Sequence, residues 1–185
     1  MTVIAFEGLD GVGTSIAARL AAMSFGGQVA TRPALLPARI VRGRGEVNAG
    51  HDVEARFAFF VRLNERQIKL ARGIEKNLGF AALDSSIYRT VATHRVLGSL
   101  AARQYQIEPR SRPDRALLLD MPEQDRLQRL MRGDGGITFS SHWDETLQMR
   151  QDDVRLAFEA FGLPKFDARL PELELVHRVA RLLEI

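Results

Sequence analysis

Phe6–Ser15 reads FEGLDGVGTS. Gly8, Gly13 and Ser15 match the phosphate-binding pattern G-x-x-x-x-G-K-[ST], but Thr14 stands where the pattern has lysine. A glycine-rich turn between a buried strand and a helix lets backbone N–H groups converge on phosphate oxygens. Ser15 is placed to reach Mg²⁺. Absent is the full charge that lysine sets between the outer phosphates. A hydrogen bond to a charged group contributes about 1.5–3 kcal/mol, and a neutral one about 0.5–1.5 kcal/mol. Removing one positioned donor from a developing charge costs about 10²–10³ in rate. These residues predict a loop (Gly8, Asp10, Gly11, Val12, Gly13, Thr14 and Ser15) that binds nucleotide phosphate while phosphoryl transfer is impaired.

Asp84 closes an apolar run, FAALD, where a carboxylate can hold Mg²⁺ through water or orient an acceptor; its bland alternative is a helix cap. Asp10 lies inside the loop, as a metal-proximal acid or a turn residue. Asp120 ends another strand and reads as structural. His51, His94, His142 and His177 have no ligand or triad spacing and also read as structural.

These residues need a scaffold. Short apolar runs at residues 2–6, 28–31, 80–83 and 116–119, with a shorter one at 165–167, read as strands. Between and after them, helical spacing covers 15–25, 52–76, 90–100, 122–132, 144–161 and 171–183. Such alternation predicts an α/β fold of three layers, a five-stranded parallel sheet with helices on both faces. One domain over 1–185 is expected, with a glycine-rich segment, about 133–143, as a short lid. Trp143, the only tryptophan, is expected at the far hinge of that lid.

Composition narrows the class. Apolar residues form 45% of the 185, there is no cysteine, and net charge is +3. Thiolate and disulfide chemistry are excluded, and a reducing, cytoplasmic setting is expected. The first apolar run spans five residues, and no stretch reaches the length of a membrane span. Of 26 basic residues only Lys69, Lys76 and Lys165 are lysines, which leaves 23 arginines. Guanidinium forks suit phosphate. The arginines are dispersed, however, and no basic tract for nucleic acid stands out.

Six segments in order resemble the thymidylate kinase family of nucleoside monophosphate kinases. They are IAFEGLDGVGTS, TRP at Thr31–Pro33, RFAFFVRLNERQ, DSSIYRTVA, PDRALLLDMPEQDRLQRLMRGDG and FDARLPELELVHRVARLL. The resemblance implies a P-loop fold, ATP and Mg²⁺ as cofactors, and dTMP or a related nucleoside monophosphate as acceptor. It places Arg32, Phe59 or Phe60, and Arg62 or Arg66 at the acceptor. Ser15, Asp10 and Asp84 would serve the metal. Neither membrane nor nucleic acid is an expected partner, and a homodimer is compatible with the resemblance.

The departures cluster at phosphate contacts. Besides Thr14, Ser85 replaces the arginine of D-R-Y, and the glutamate of T-R-E-P is missing. Leu63 or Asn64, depending on register, replaces the base-binding arginine. Arg89, four residues after Ser85, is a candidate substitute or a surface residue. No arginine occurs between Gly133 and Trp143, so Arg129 and Arg132 are the nearest candidates to stabilise the transferring charge. Two readings stay open: a kinase of altered or weak activity, and an inactive nucleotide-binding pseudokinase with a regulatory or scaffold role.

Overall fold

A computed structural model describes residues 2–30, 38–132 and 141–184, with the side chains of residues 38–41 outside that description. Five strands form one parallel sheet: β1 (Thr2–Glu7), β2 (Gln28–Val29), β3 (Phe80–Asp84), β4 (Arg115–Asp120) and β5 (Lys165–Asp167), in the order β2-β3-β1-β4-β5. This is the expected architecture. Period-two alternation sorts the central strands between two cores. Ile4 and Phe6 of β1, with Phe80 and Ala82 of β3, join α1 (Thr14–Ser24) and α9 (Glu172–Leu182). Val3 and Ala5, with Ala81 and Leu83, face Ile68 and Ala71 of α3 (Val53–Leu78). Near-continuous apolar strands are what burial on both faces demands.

α3 is the long helix the sequence predicts. Asp52 caps its start by accepting from the N–H groups of Glu54 and Ala55, both at 2.9 Å, and Gly79 at φ 83° ends it. Two other expectations need correction. The helix expected over 90–100 starts earlier and splits into α4 (Ile87–Val96) and α5 (Leu100–Gln104). Gly98, at φ 93°, stops the first, and the Ser99 hydroxyl caps the second by accepting from Ala102 N–H at 2.9 Å. The helix expected over 144–161 divides at Arg150 into α7 (His142–Met149) and α8 (Gln151–Glu159). Arg42 and Arg44 lie exposed on α2 (Ala38–Ala49). α6 (Glu123–Arg132) completes the helices used below.

β1 is central and pairs β3 on one side and β4 on the other. From β1 the chain crosses to β2 on one side, and from β3 it crosses to β4 on the other, so a crevice opens at the carboxyl ends of these adjacent strands. Glu7, Asp84 and Asp120 end those three strands, and the glycine loop begins at Gly8.

Candidate nucleotide-binding site

The loop between β1 and α1 has the predicted form. Gly8, Gly11 and Gly13 have φ values of 155°, 92° and 96°. At Gly11 an added Cβ would meet Leu130 at 2.7 Å, so α6 presses on the loop too closely for any side chain. Gly13 caps α1, which leaves the N–H groups of Thr14 and Ser15 in the first helical turn, where no intrahelical acceptor exists. One predicted donor is lost: Val12 N–H turns back to Leu9 O at 3.3 Å, and the Val12 side chain is buried in the core.

Three arginines hold the carbonyls of this loop. Arg89 donates to Gly8 O at 3.3 Å, Arg126 to Asp10 O at 2.7 Å, and Arg129 to Val12 O at 3.2 Å. The carbonyls of residues 8, 10 and 12 are thus turned toward guanidinium groups. Arg126 is fully buried and clamped by both oxygens of Glu123, at 2.8 and 2.5 Å. Arg129 also donates to Ala168 O at 3.0 Å, and its Nη1 lies 3.5 Å from where a Cβ on Gly13 would sit. Arg126 is the residue that sequence reasoning missed. On a strongly polar helix it reads as a solvated arginine, and its partner lies 116 residues away.

Arg89 is partly buried rather than a solvent-facing surface residue. Its Nη2 pairs with the Asp10 carboxylate at 2.6 Å. Burial works against its charge, but the nearby carboxylates of Asp10, Glu7 and Asp84 outweigh it and raise its pKa. Asp84 is not a helix cap: Ser86 takes that place, and Asp84 accepts a short hydrogen bond from the Ser15 hydroxyl. Ser86 in turn donates to the buried Glu7. Asp120 accepts from Met121 N–H at 3.0 Å and lies 3.6 Å from Arg155, which suits the structural role expected of it.

A cavity of about 630 Å³ opens over the loop. Its lining combines Asp10, the residues from Gly11 to Ser15, Arg129 and Arg132 with the apolar Ile16, Leu20, Leu119, Leu170 and Leu175, and with the acids Asp167 and Glu172. A lining of charged and apolar groups suits a molecule with phosphates and a flat ring.

The acceptor residues expected on α3 are only partly brought together. Arg62 and Arg66 lie on its exposed face, and none of the described contacts links them to the loop. Asn64 and Gln67 point inward instead; Asn64 donates to Phe60 O and to Thr90 Oγ1, both at 2.7 Å. Phe60 is buried and Phe59 stands edge-on to it, with ring centroids 5.5 Å apart. Arg32 and most of the expected lid lie outside the described residues. Trp143, expected at the far hinge of that lid, is buried, and its indole donates to Gly50 O at 3.1 Å.

The sheet order and the strand–glycine loop–helix unit at β1 define the P-loop nucleoside kinase fold. A thymidylate kinase from Candida albicans aligns with a TM-score of 0.65 and 17% identity, over 99% of this chain and 91% of that one. A deoxyadenosine kinase from M. mycoides aligns at 0.61 and 16% with dCMP and dCDP bound, covering 98% of both chains. With dATP bound it aligns at 0.62 and 15%, over 99% of this chain and 100% of that one. No protein-family model matches the chain, and comparison with curated sequences gives no match. Among the described residues, no helix is long and apolar enough to cross a membrane.

Proposed function

We propose that this chain is a P-loop phosphotransferase of the nucleoside monophosphate kinase type, with activity weakened by the loss of the loop lysine. The observation that carries this reading is the glycine loop strapped by Arg89, Arg126 and Arg129 beneath a cavity lined in part by apolar side chains. Tying three carbonyls to guanidinium groups leaves the loop amides for an anion, and the arginines set positive charge around that site. The thymidylate kinase neighbour supports a deoxynucleoside monophosphate as acceptor, and both neighbours support transfer of a phosphoryl group from ATP.

In this reading the N–H groups of Gly11, Gly13, Thr14 and Ser15 hold the β-phosphate, and the apolar side chains of the cavity take the base. Mg²⁺ fits the donor set, because the Ser15 hydroxyl and the Asp84 carboxylate already converge in direct contact. Asp10 is less available, being paired with Arg89. The ion would be held by Ser15 and Asp84 and would supply neutralising charge at the outer phosphates. An oxygen of the acceptor's phosphate bonds to the γ-phosphorus as the bridge to the β-phosphate breaks, so ADP leaves with that bridging oxygen. Arg129 and Arg132, on the cavity wall, stabilise the transferring charge. Arg32 and Arg89 are the candidates to hold the acceptor.

The test is ADP formation from ATP and Mg²⁺ with each nucleoside monophosphate in turn. Release of ADP that depends on one monophosphate is expected. If ATP binds by calorimetry but no monophosphate elicits ADP, the inactive nucleotide-binding reading replaces this one. Thr14 favours that second reading.

A further inference from the structure

Arg56 sits in the first turn of α3 and is only 6% exposed. It lies where α2, α3, α4 and α7 meet. Its Nε–H donates to Asn48 Oδ1 at 3.3 Å and its Nη1 bonds His94 Nε2 at 2.9 Å. A guanidinium only donates, so His94 Nε2 carries the lone pair and the ring's proton sits on Nδ1. That proton is donated to Thr90 O at 2.7 Å. Both ring nitrogens of His94 are thereby engaged, in a tautomer without net charge.

The guanidinium carbon lies 4.7 Å from the Phe60 ring centroid and 5.6 Å from that of Trp143. Two of the five N–H groups of Arg56 are used; the second on Nη1 and both on Nη2 have no acceptor among the described residues. No carboxylate among the described residues forms an ion pair with it; Asp144 acts only at longer range, and the Arg44 guanidinium opposes it. Burial, the larger effect, brings Arg56 down to about 10. Leaving a buried charge without its partner is strongly destabilising. Strongly perturbed ionisable groups cluster at functional sites.

We propose that Arg56 is the centre of an oxyanion-binding subsite, separate from the glycine loop, that takes a phosphate group. The free Nη1 and Nη2 hydrogens form the planar fork that grips two oxygens of one phosphate. Phe60 and Trp143 fix the plane of that fork. The α3 side chain that meets the anion is therefore Arg56, and not the solvent-facing Arg62 or Arg66. The phosphate is either free or carried by a nucleotide, and the chemistry of recognition is the same.

The full chain is titrated with inorganic phosphate, dTMP and thymidine, with Trp143 emission and thermal melting as readouts. Saturating ATP is included in parallel runs to occupy the loop. Trp143 is the only tryptophan and packs on Arg56, so it reads this subsite directly. Phosphate or dTMP should change emission saturably and raise the melting temperature, and thymidine should do neither. A response to dTMP alone assigns the phosphate to a nucleotide, and equal responses assign a free oxyanion. Arg56→Met should abolish the response and leave ATP affinity within twofold. Arg56→Lys keeps the charge without the fork and should weaken the anion at least tenfold; it also serves if the Met variant misfolds. An undiminished response in either variant, an equal response to thymidine, or no response in the wild type overturns the proposal. Failure of ATP to bind would count against the kinase reading alone, since phosphate and dTMP test Arg56 without it.

Discussion

Ser85 shows how much of the site is decided by single residues. It is buried, has φ 66°, and its N–H donates to Phe6 O at 3.0 Å. Outside glycine such a backbone is costly and collects at functional positions. The strained turn carries Asp84 on one side and Ser86 on the other, the partners of Ser15 and Glu7. Ser85→Gly should relax it and raise unfolding stability by about 0.5–1 kcal/mol. Denaturant melts would show this, and a loss of stability would mean the backbone is not strained. Thr14 is the other decisive residue. It is 9% exposed and lines the cavity beside Arg129. Thr14→Lys should raise turnover at least tenfold in the ADP assay, as expected from restoring one charged donor to a transferring phosphoryl group. An unchanged rate in a folded variant would mean that the arginine straps already supply that charge. The glycines, Ser15 and Asp84 were legible in the sequence because a local pattern fixes them. Arg126 and Arg56 were not, because their partners are distant in the chain and each sits on a helix where an arginine reads as solvated.

Among the elements, strands and long helices followed from apolar periodicity, whereas helix breaks did not. Gly98-Ser99 carries a stop and a cap inside a run whose apolar spacing continues, and the hydrophobic pattern of 144–161 runs through the break at Arg150. Periodicity reports which face is buried and is blind to a change of axis. One inter-element tie carries a pH signature. Arg72 on α3 grips Asp114, just before β4, with bonds of 2.6 and 2.8 Å, and Asp114 also accepts from Val3 N–H at 2.8 Å. Burial raises the Asp114 pKa, but these bonds outweigh it and leave the carboxyl below its usual value. A depressed carboxyl stabilises the fold above its unfolded pKa, near 3.9, and loses that contribution as pH falls through the folded value. Both side chains are more than a third exposed, so solvent screening reduces the gain to about 1 kcal/mol. Asp114→Asn should therefore lower stability by about 1 kcal/mol at pH 7, with the gap to wild type closing below pH 4. A gap that persists at pH 3 would mean the loss came from packing rather than charge.

At the scale of the whole molecule, the sheet order β2-β3-β1-β4-β5 puts the glycine loop, Asp84 and the inner face of α6 at one end of the crevice. That architecture was legible, since buried parallel strands leave short apolar runs ending in acids. The partnership between α6 and the loop was not, because it depends on how far α6 leans in, which Leu130 against Gly11 reveals. The central claim is that a loop without its lysine still binds a nucleotide polyphosphate through amides held open by three arginines. Calorimetric titration of ATP into the wild type and Arg129→Gln tests it most directly. Arg129 is largely solvent-facing, so its replacement leaves the fold intact. The account predicts saturable ATP binding by the wild type and an affinity about tenfold weaker in Arg129→Gln, the loss of one charge-assisted contact. No heat of ATP binding to the wild type, or equal affinities for the two proteins, would contradict it.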